Sequence, residues 1–224
     1  MVTFWPTIAT TLGWYTLSYV TNDNPTLVVV PTETLTLIPQ NQMQEHIDFN
    51  QIKIPILNSS EAELRNDAST VAITLSDKKA AYFVATMPLF AQELSINPNF
   101  TADYRVHICV PNIQKEIGNP CESNQGFIQN LLSVSPKDVS LFSTRSDKIY
   151  HSVFVNLKNL YIPADTRAMY QLNSETFTGY MTYSPTASLA FLFDENGDGY
   201  ELSFLSMSQE EIVEVLQGIS LTTN

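Results

Sequence analysis

Residues 167–219 read RAMYQLNSETFTGYMTYSPTASLAFLFDENGDGYELSFLSMSQEEIVEVLQGI, and this stretch decides the fold. RAMYQL, TFTGYMTYS, SLAFLFD and YELSFLS are short runs rich in aromatic and β-branched residues, joined by polar links of a few residues. That spacing predicts four consecutive antiparallel strands. The run ends in a helix. Ser208 followed three residues later by Glu211 is a capping box, in which each residue satisfies a main-chain donor that the helix start leaves free. Ile212, Val213, Val215, Leu216 and Ile219 then gather on one face, which needs a sheet to lie on.

Upstream of this stretch the elements are mixed. TLSYV, TLVVV and TETLTLI read as strands broken by NDNP, Pro31 and Pro39. In IDFNQIKIPIL, Ile47, Phe49, Ile52, Ile54 and Ile56 are core candidates, and NSSEAELRNDAS (58–69) reads as a loop or short helix. STVAITLS and AAYFVATM form a hairpin across SDKK, with Val71, Ile73 and Leu75 on one face. YRVHICV (104–110) alternates as a strand. NQGFIQNLL and SPKDVSLFS then begin with cap-like residues, Pro136 taking the first helical position. In SDKIYHSVFVNLKNLYI, Ile149, Val153, Leu157 and Leu160 give a helical stripe, which is preferred over the strand alternation His151, Val153, Val155, Leu157.

Strands followed by a packed terminal helix imply α+β. The expected architecture is antiparallel sheet or sheets flanked by helices, with a strand-rich N-terminus and a C-terminal amphipathic helix on the sheet. The domain reading is a strand-rich segment 1–45 packed on an α+β domain of residues 46–224.

The order of strands, connecting helices and a closing GYELSF…SQEEIVEVLQGI strand–helix pair resembles the PsbP/Mog1-like α/β sandwich group. The likeness runs from Ile47 onward and rests on element order. It implies a binding or accessory role without catalysis and carries over no functional residue.

Charge is unevenly laid out along the 224 residues, whose formal net charge is −12. Residues 1–52 hold four acids (Asp23, Glu33, Glu45, Asp48) and no Lys or Arg, and residues 53–167 hold 11 bases against 11 acids. Residues 168–224 hold eight acids and no base: Glu175, Asp194, Glu195, Asp198, Glu201, Glu210, Glu211 and Glu214. Such a section repels nucleic acid and anionic lipid and attracts a basic protein face or cations. Glu201, Glu210, Glu211 and Glu214 are therefore the candidate partner-binding residues. Acidity that serves only solubility is the plain alternative. Residues 1–22 are uncharged but diluted by Thr, Gly and Pro, a poor membrane span and a poor signal peptide, so no stable membrane insertion is expected.

DENGDGY (194–200) is the sharpest local signal. Asp194, Asn196, Asp198 and Gly199 match the first half of a calcium loop, with the Tyr200 carbonyl as a further ligand. Leu205 stands where the bidentate glutamate belongs, and the flanks read as strands. A hairpin turn is the preferred reading, because Asn-Gly and Asp-Gly supply positive φ. Any calcium held here would bind weakly, and no other cofactor is expected.

Cys109 and Cys121 flank VPNIQKEIGNP, short enough to close as a disulfide worth roughly 3 kcal/mol in an oxidising compartment. With the Thr, Ser and Asn palette this suggests an exported, periplasmic or envelope-associated protein. His107 and Cys109 lie two apart on one strand, roughly 7 Å, too far for a nucleophile–base pair. His46 and His151 are isolated. Sequons stand at Asn58 and Asn99. There is no G-x-S-x-G, H-E-x-x-H, Walker loop or G-x-G-x-x-G. The functional expectation is a non-enzymatic binding protein, of inhibitor or immunity type, engaging a basic partner. The alternative is a structural subunit of an envelope, secretion or virion complex, assembling through its first 45 residues.

Overall fold

The computed structural model describes residues 29–39, 45–57, 62–66, 70–75, 80–87, 124–135, 154–155 and 157–222, with the strand path alone for 62–66. The TLSYV and YRVHICV strands, most of the SPKDVSLFS helix, His107, His151, both cysteines and both sequons lie outside the described residues.

Eleven strands are described: β1 Glu33–Thr36, β2 Glu45–Phe49, β3 Ile52–Ile56, β4 Ala62–Asn66, β5 Thr70–Leu75, β6 Ala80–Thr86, β7 Ala168–Asn173, β8 Thr178–Tyr183, β9 Ala187–Phe193, β10 Gly199–Leu205 and β11 Ser220–Leu221. Three helical stretches accompany them: α1 Asn124–Ser133, α2 at residues 154–155 and 157–161, and α3 Gln209–Gly218. The class is α+β.

Eight strands form one sheet in the order β1-β7-β8-β9-β10-β6-β5-β4, and a small second sheet has the order β11-β3-β2. The four C-terminal runs make a meander, each pairing antiparallel with the next. The β1–β7 pair is parallel, so the large sheet is mixed and not purely antiparallel. A parallel partner needs a long crossover, and here the two strands are separated by most of the chain. Residues 62–66 are a strand beside β5, not the loop or short helix that the polar sequence suggests. Pairing with β5 supplies what the local pattern lacks.

Alternation along the meander sends side chains to two separate cores. Met181, Ala190, Leu192, Tyr200, Leu202 and Phe204 join the first, against β3 and α3. Met169, Tyr180, Phe191 and Phe193 join the second, against Phe127, Ile128 and Leu131 of α1 and Phe154 and Leu157 of α2. The large sheet is thus the middle of three layers: the small sheet and α3 on one face, α1 and α2 on the other. Burying both faces explains why the sequence runs AFLF and YMTY are apolar at successive positions.

α3 starts as its sequence predicts: Glu211 N donates to Ser208 Oγ at 3.2 Å and Ser208 N to Glu211 Oε2 at 2.9 Å. Ile212, Val215 and Leu216 are buried. In α2 Leu157 of the predicted stripe is buried as expected and Leu160 is not, while Ile149 and Val153 lie outside the described residues. Leu160 is 77% exposed, whereas Phe154, Val155, Leu157 and Lys158 are buried. The reason is Lys158, whose ammonium is drawn inward to three carbonyl oxygens: Val29 at 2.7 Å, Leu132 at 2.8 Å and Val134 at 3.0 Å. Leu132 and Val134 sit at the C-terminal end of α1, where carbonyls lack helical partners and the helix dipole favours a cation. No described helix is long and apolar enough to cross a membrane.

Candidate functional site

The antiparallel meander puts the β7–β8 turn (174–177) and the β9–β10 turn (194–198) at the same end of the sheet. A cleft of about 270 Å³ opens between them, lined by Ser174–Thr178, Phe193–Glu195 and Leu221. Phe177, Phe193 and Leu221 are buried beneath it, and Glu175, Thr176, Thr178 and Glu195 stand exposed at its rim.

The DENGDGY segment forms the β9–β10 hairpin turn. Gly197 has φ 85°, as the Asn-Gly-Asp-Gly sequence anticipates. Asp194 is only 6% exposed, and its Oδ1 accepts hydrogen bonds from the main-chain N–H of Asn196 and of Asp198, both at 2.9 Å. The Asn196 amide reaches its Oδ2 at 3.4 Å. One carboxylate oxygen of the calcium-like loop is therefore already engaged in holding the turn. Among the described residues there is no group of three or more His, Cys, Asp and Glu arranged to hold a metal.

Leu221 of β11 adds to the cleft wall, and the β2–β3 turn is fastened beside it to β11 and β10. Leu221 N donates to Thr176 Oγ1 at 3.3 Å, and Thr222 N donates to Gln51 O at 2.8 Å. Gln51 N in turn donates to the Tyr200 hydroxyl at 3.3 Å. Burial raises the Tyr200 pKa, and the charges of Asp194 and Asp198 push it the same way against the Gln51 N–H. The acidic turn is thus felt electrostatically at the hydroxyl that holds β3.

No protein-family model, curated protein or solved structure matches the chain. The site therefore rests on its own geometry.

The candidate acids fall in three places. Glu210 and Glu211 begin α3 at the opposite end of the sheet from the cleft, because α3 follows the far end of β10. Glu211 is engaged in the capping box, and Glu214 lies midway along α3. Glu201 belongs to β10, where its strand neighbours Tyr200 and Leu202 face the α3 side. Its own side chain points to the other face of the sheet, level with Phe191. Glu201 is therefore not on one surface with the α3 acids. Instead the fold gathers Glu175, Asp194, Glu195 and Asp198 around the cleft end. Glu175 was legible in the sequence: a hairpin count places the NSET link at the same end as DENGDG. His46 is on β2, exposed and away from the cleft.

A second polar cluster, at the opposite end, is structural in form. Ser184 Oγ and Thr186 Oγ1 each donate at 2.7 Å to the two oxygens of Asp165. These bonds, Ser184 first, lower the Asp165 pKa. Ser188 Oγ accepts from Ser184 N at 3.0 Å and donates to Ser184 O at 3.0 Å. The network fastens the β8–β9 turn to the loop before β7.

Proposed function

We propose that the protein is a non-enzymatic binding protein that engages a basic protein partner at the acidic end of its large sheet. The observation that carries this reading is the cleft itself. Three acidic residues, Glu175, Asp194 and Glu195, line one concave surface, and the section that builds it contains no Lys or Arg. Lys53, on neighbouring β3, has Asp48 as its cross-strand partner. A cleft lined by one sign of charge focuses its field outward and favours a partner of the opposite sign. The partner's Lys or Arg would sit between the two turns, its aliphatic stem against the cleft's apolar floor. An inhibitor or immunity role, in an exported or envelope-associated setting, is the fuller form of this proposal.

The test is calorimetric titration with a lysine-rich peptide at two salt concentrations, comparing Glu175→Lys/Glu195→Lys with Glu210→Lys/Glu214→Lys. The second pair spares Glu211 and hence the helix cap. The cleft pair should weaken binding at least about tenfold and the α3 pair much less. Equal weakening would return the binding surface to α3. A wild-type protein that ignores the peptide and self-associates in light scattering would favour the assembly subunit.

A further inference from the structure

We propose that residues 29–37 form a strap that opens as a unit from the edge of the large sheet, with Lys158 as its tether. The segment crosses that edge from one layer to the other. Val29 packs half-buried against the α1–α2 core, and Leu35 and Leu37 reach the core on the small-sheet side. Between these anchors Thr32, Glu33, Thr34 and Thr36 are exposed, and Leu37 alone in the strap is fully buried. The strand within it is four residues long and is the parallel member of the sheet.

Among the described residues its hydrogen-bonded attachments are of two kinds. The ladder to β7 is extended by Leu37 N donating to Asn173 O at 2.8 Å. At the other end the Lys158 ammonium donates to Val29 O at 2.7 Å. When the strap leaves, Lys158 keeps the Leu132 and Val134 carbonyls, so release strands no buried charge. β7 likewise keeps its full antiparallel ladder to β8. Both neighbours thus remain satisfied, which is the condition for a local opening below the free energy of global unfolding. Opening lays bare the main chain of Tyr170–Asn173 on the outer edge of β7.

Native-state hydrogen exchange on the full chain tests this, under conditions where closing outpaces exchange. In the wild type, amides of residues 33–37 should exchange at least tenfold faster than those of β9 and β10, with little dependence on urea. Lys158→Met should speed them a further tenfold or more. Val84→Ala, on β6 and remote from the strap, should speed the slowest core amides about tenfold and leave the strap unchanged. Strap amides as slow as the core in the wild type would overturn the proposal. So would a Val84→Ala effect of equal size on both, and a Lys158→Met variant with unaltered strap exchange would remove the tether.

Discussion

Tyr82 and Tyr200 hold the same edge of β3 from the facing sheet. The Tyr82 hydroxyl donates to Pro55 O and accepts from Leu57 N at 3.4 Å, while the Tyr200 hydroxyl accepts from Gln51 N at 3.3 Å. Between them β11 pairs only with Lys53 and Ile52. The two hydroxyls therefore stand in for the strand residues that the short β11 does not supply, and Pro55 presents no N–H to satisfy. An edge that would otherwise carry buried, unpaired main-chain groups is closed by side chains.

Tyr82→Phe should consequently cost more than Tyr200→Phe. Tyr82 is fully buried, and losing its hydroxyl leaves a carbonyl and an N–H without a partner, a loss of about 1–3 kcal/mol. Gln51 is half-exposed, so water replaces the Tyr200 hydroxyl there and the loss should be under about 1 kcal/mol. Urea unfolding of both variants checks the order. Equal losses would mean that the hydroxyls do not act on β3 in this way.

The same tyrosines set an alkaline limit. Burial pushes the Tyr82 hydroxyl from 10.0 up to about 12, against the Leu57 N–H. Burial also raises Tyr180 and Tyr200. Below pH 10 neither the folded nor the unfolded state ionises these groups, and their contribution is intact. As pH rises from 10 to 12 the unfolded chain loses protons first, and stability falls by about 2 kcal/mol for Tyr82 alone. Unfolding midpoints measured from pH 9 to 12 should drop, and less so in Tyr82→Phe.

Much of the C-terminal half was legible because each of its elements carries a local signal: alternation in the meander, Asn-Gly-Asp-Gly at its last turn, Ser208 and Glu211 at α3. What the sequence hid was long-range. Nothing near Glu33–Thr36 names Ala168–Asn173 as a parallel partner, and nothing in AELRN announces a strand until β5 lies beside it. Lys158 looks like a surface residue in any window, since the carbonyls that draw it inward, at the end of α1 and at Val29, lie far from it in sequence. The acidic block illustrates the same gap for the site. Linear counting gave eight carboxylates in one section, but folding sends Glu201 to one face, Glu210 to the far end and Glu175 to the cleft.

Two glycines should fail for opposite reasons. A Cβ at Gly179 would stand 2.1 Å from the Phe191 carbonyl oxygen and 3.2 Å from Leu192 Cα, so β8 and β9 must separate. Gly179→Ala should cost about 3 kcal/mol or more. Gly197 has nothing within 4 Å of such a Cβ, but its φ of 85° disfavours any side chain. Gly197→Ala should cost about 1 kcal/mol, through backbone strain alone. Thermal unfolding of the pair distinguishes packing from conformation.

Acid should loosen the β8–β9 turn before the rest of the molecule. The Ser184 and Thr186 hydroxyls hold the Asp165 pKa below its ordinary value. A lowered pKa adds stability that is present above the unfolded value and is lost as pH falls through the folded one. The Ser184, Thr186 and Ala187 amides should lose exchange protection as pH falls below about 4, the ordinary Asp range. Asp165→Asn should remove that pH dependence, and a variant that keeps it would place the titrating group elsewhere.

Asp194 separates the turn reading of DENGDGY from the metal reading. Its Oδ1 takes two N–H groups at 2.9 Å, a task that an asparagine oxygen also performs. Asp194→Asn should therefore retain stability to within about 1 kcal/mol, whereas Asp194→Ala strands both donors and should cost about 1–2 kcal/mol. Calcium distinguishes the roles further, because an ion that binds only the folded state raises the melting temperature with concentration. If the carboxylate serves the turn alone, millimolar calcium should leave the wild type and Asp194→Asn melting alike. A calcium-dependent rise in the wild type that vanishes in Asp194→Asn would instead assign the loop to the ion, with Asn196, Asp198 and the Tyr200 carbonyl as its remaining ligands.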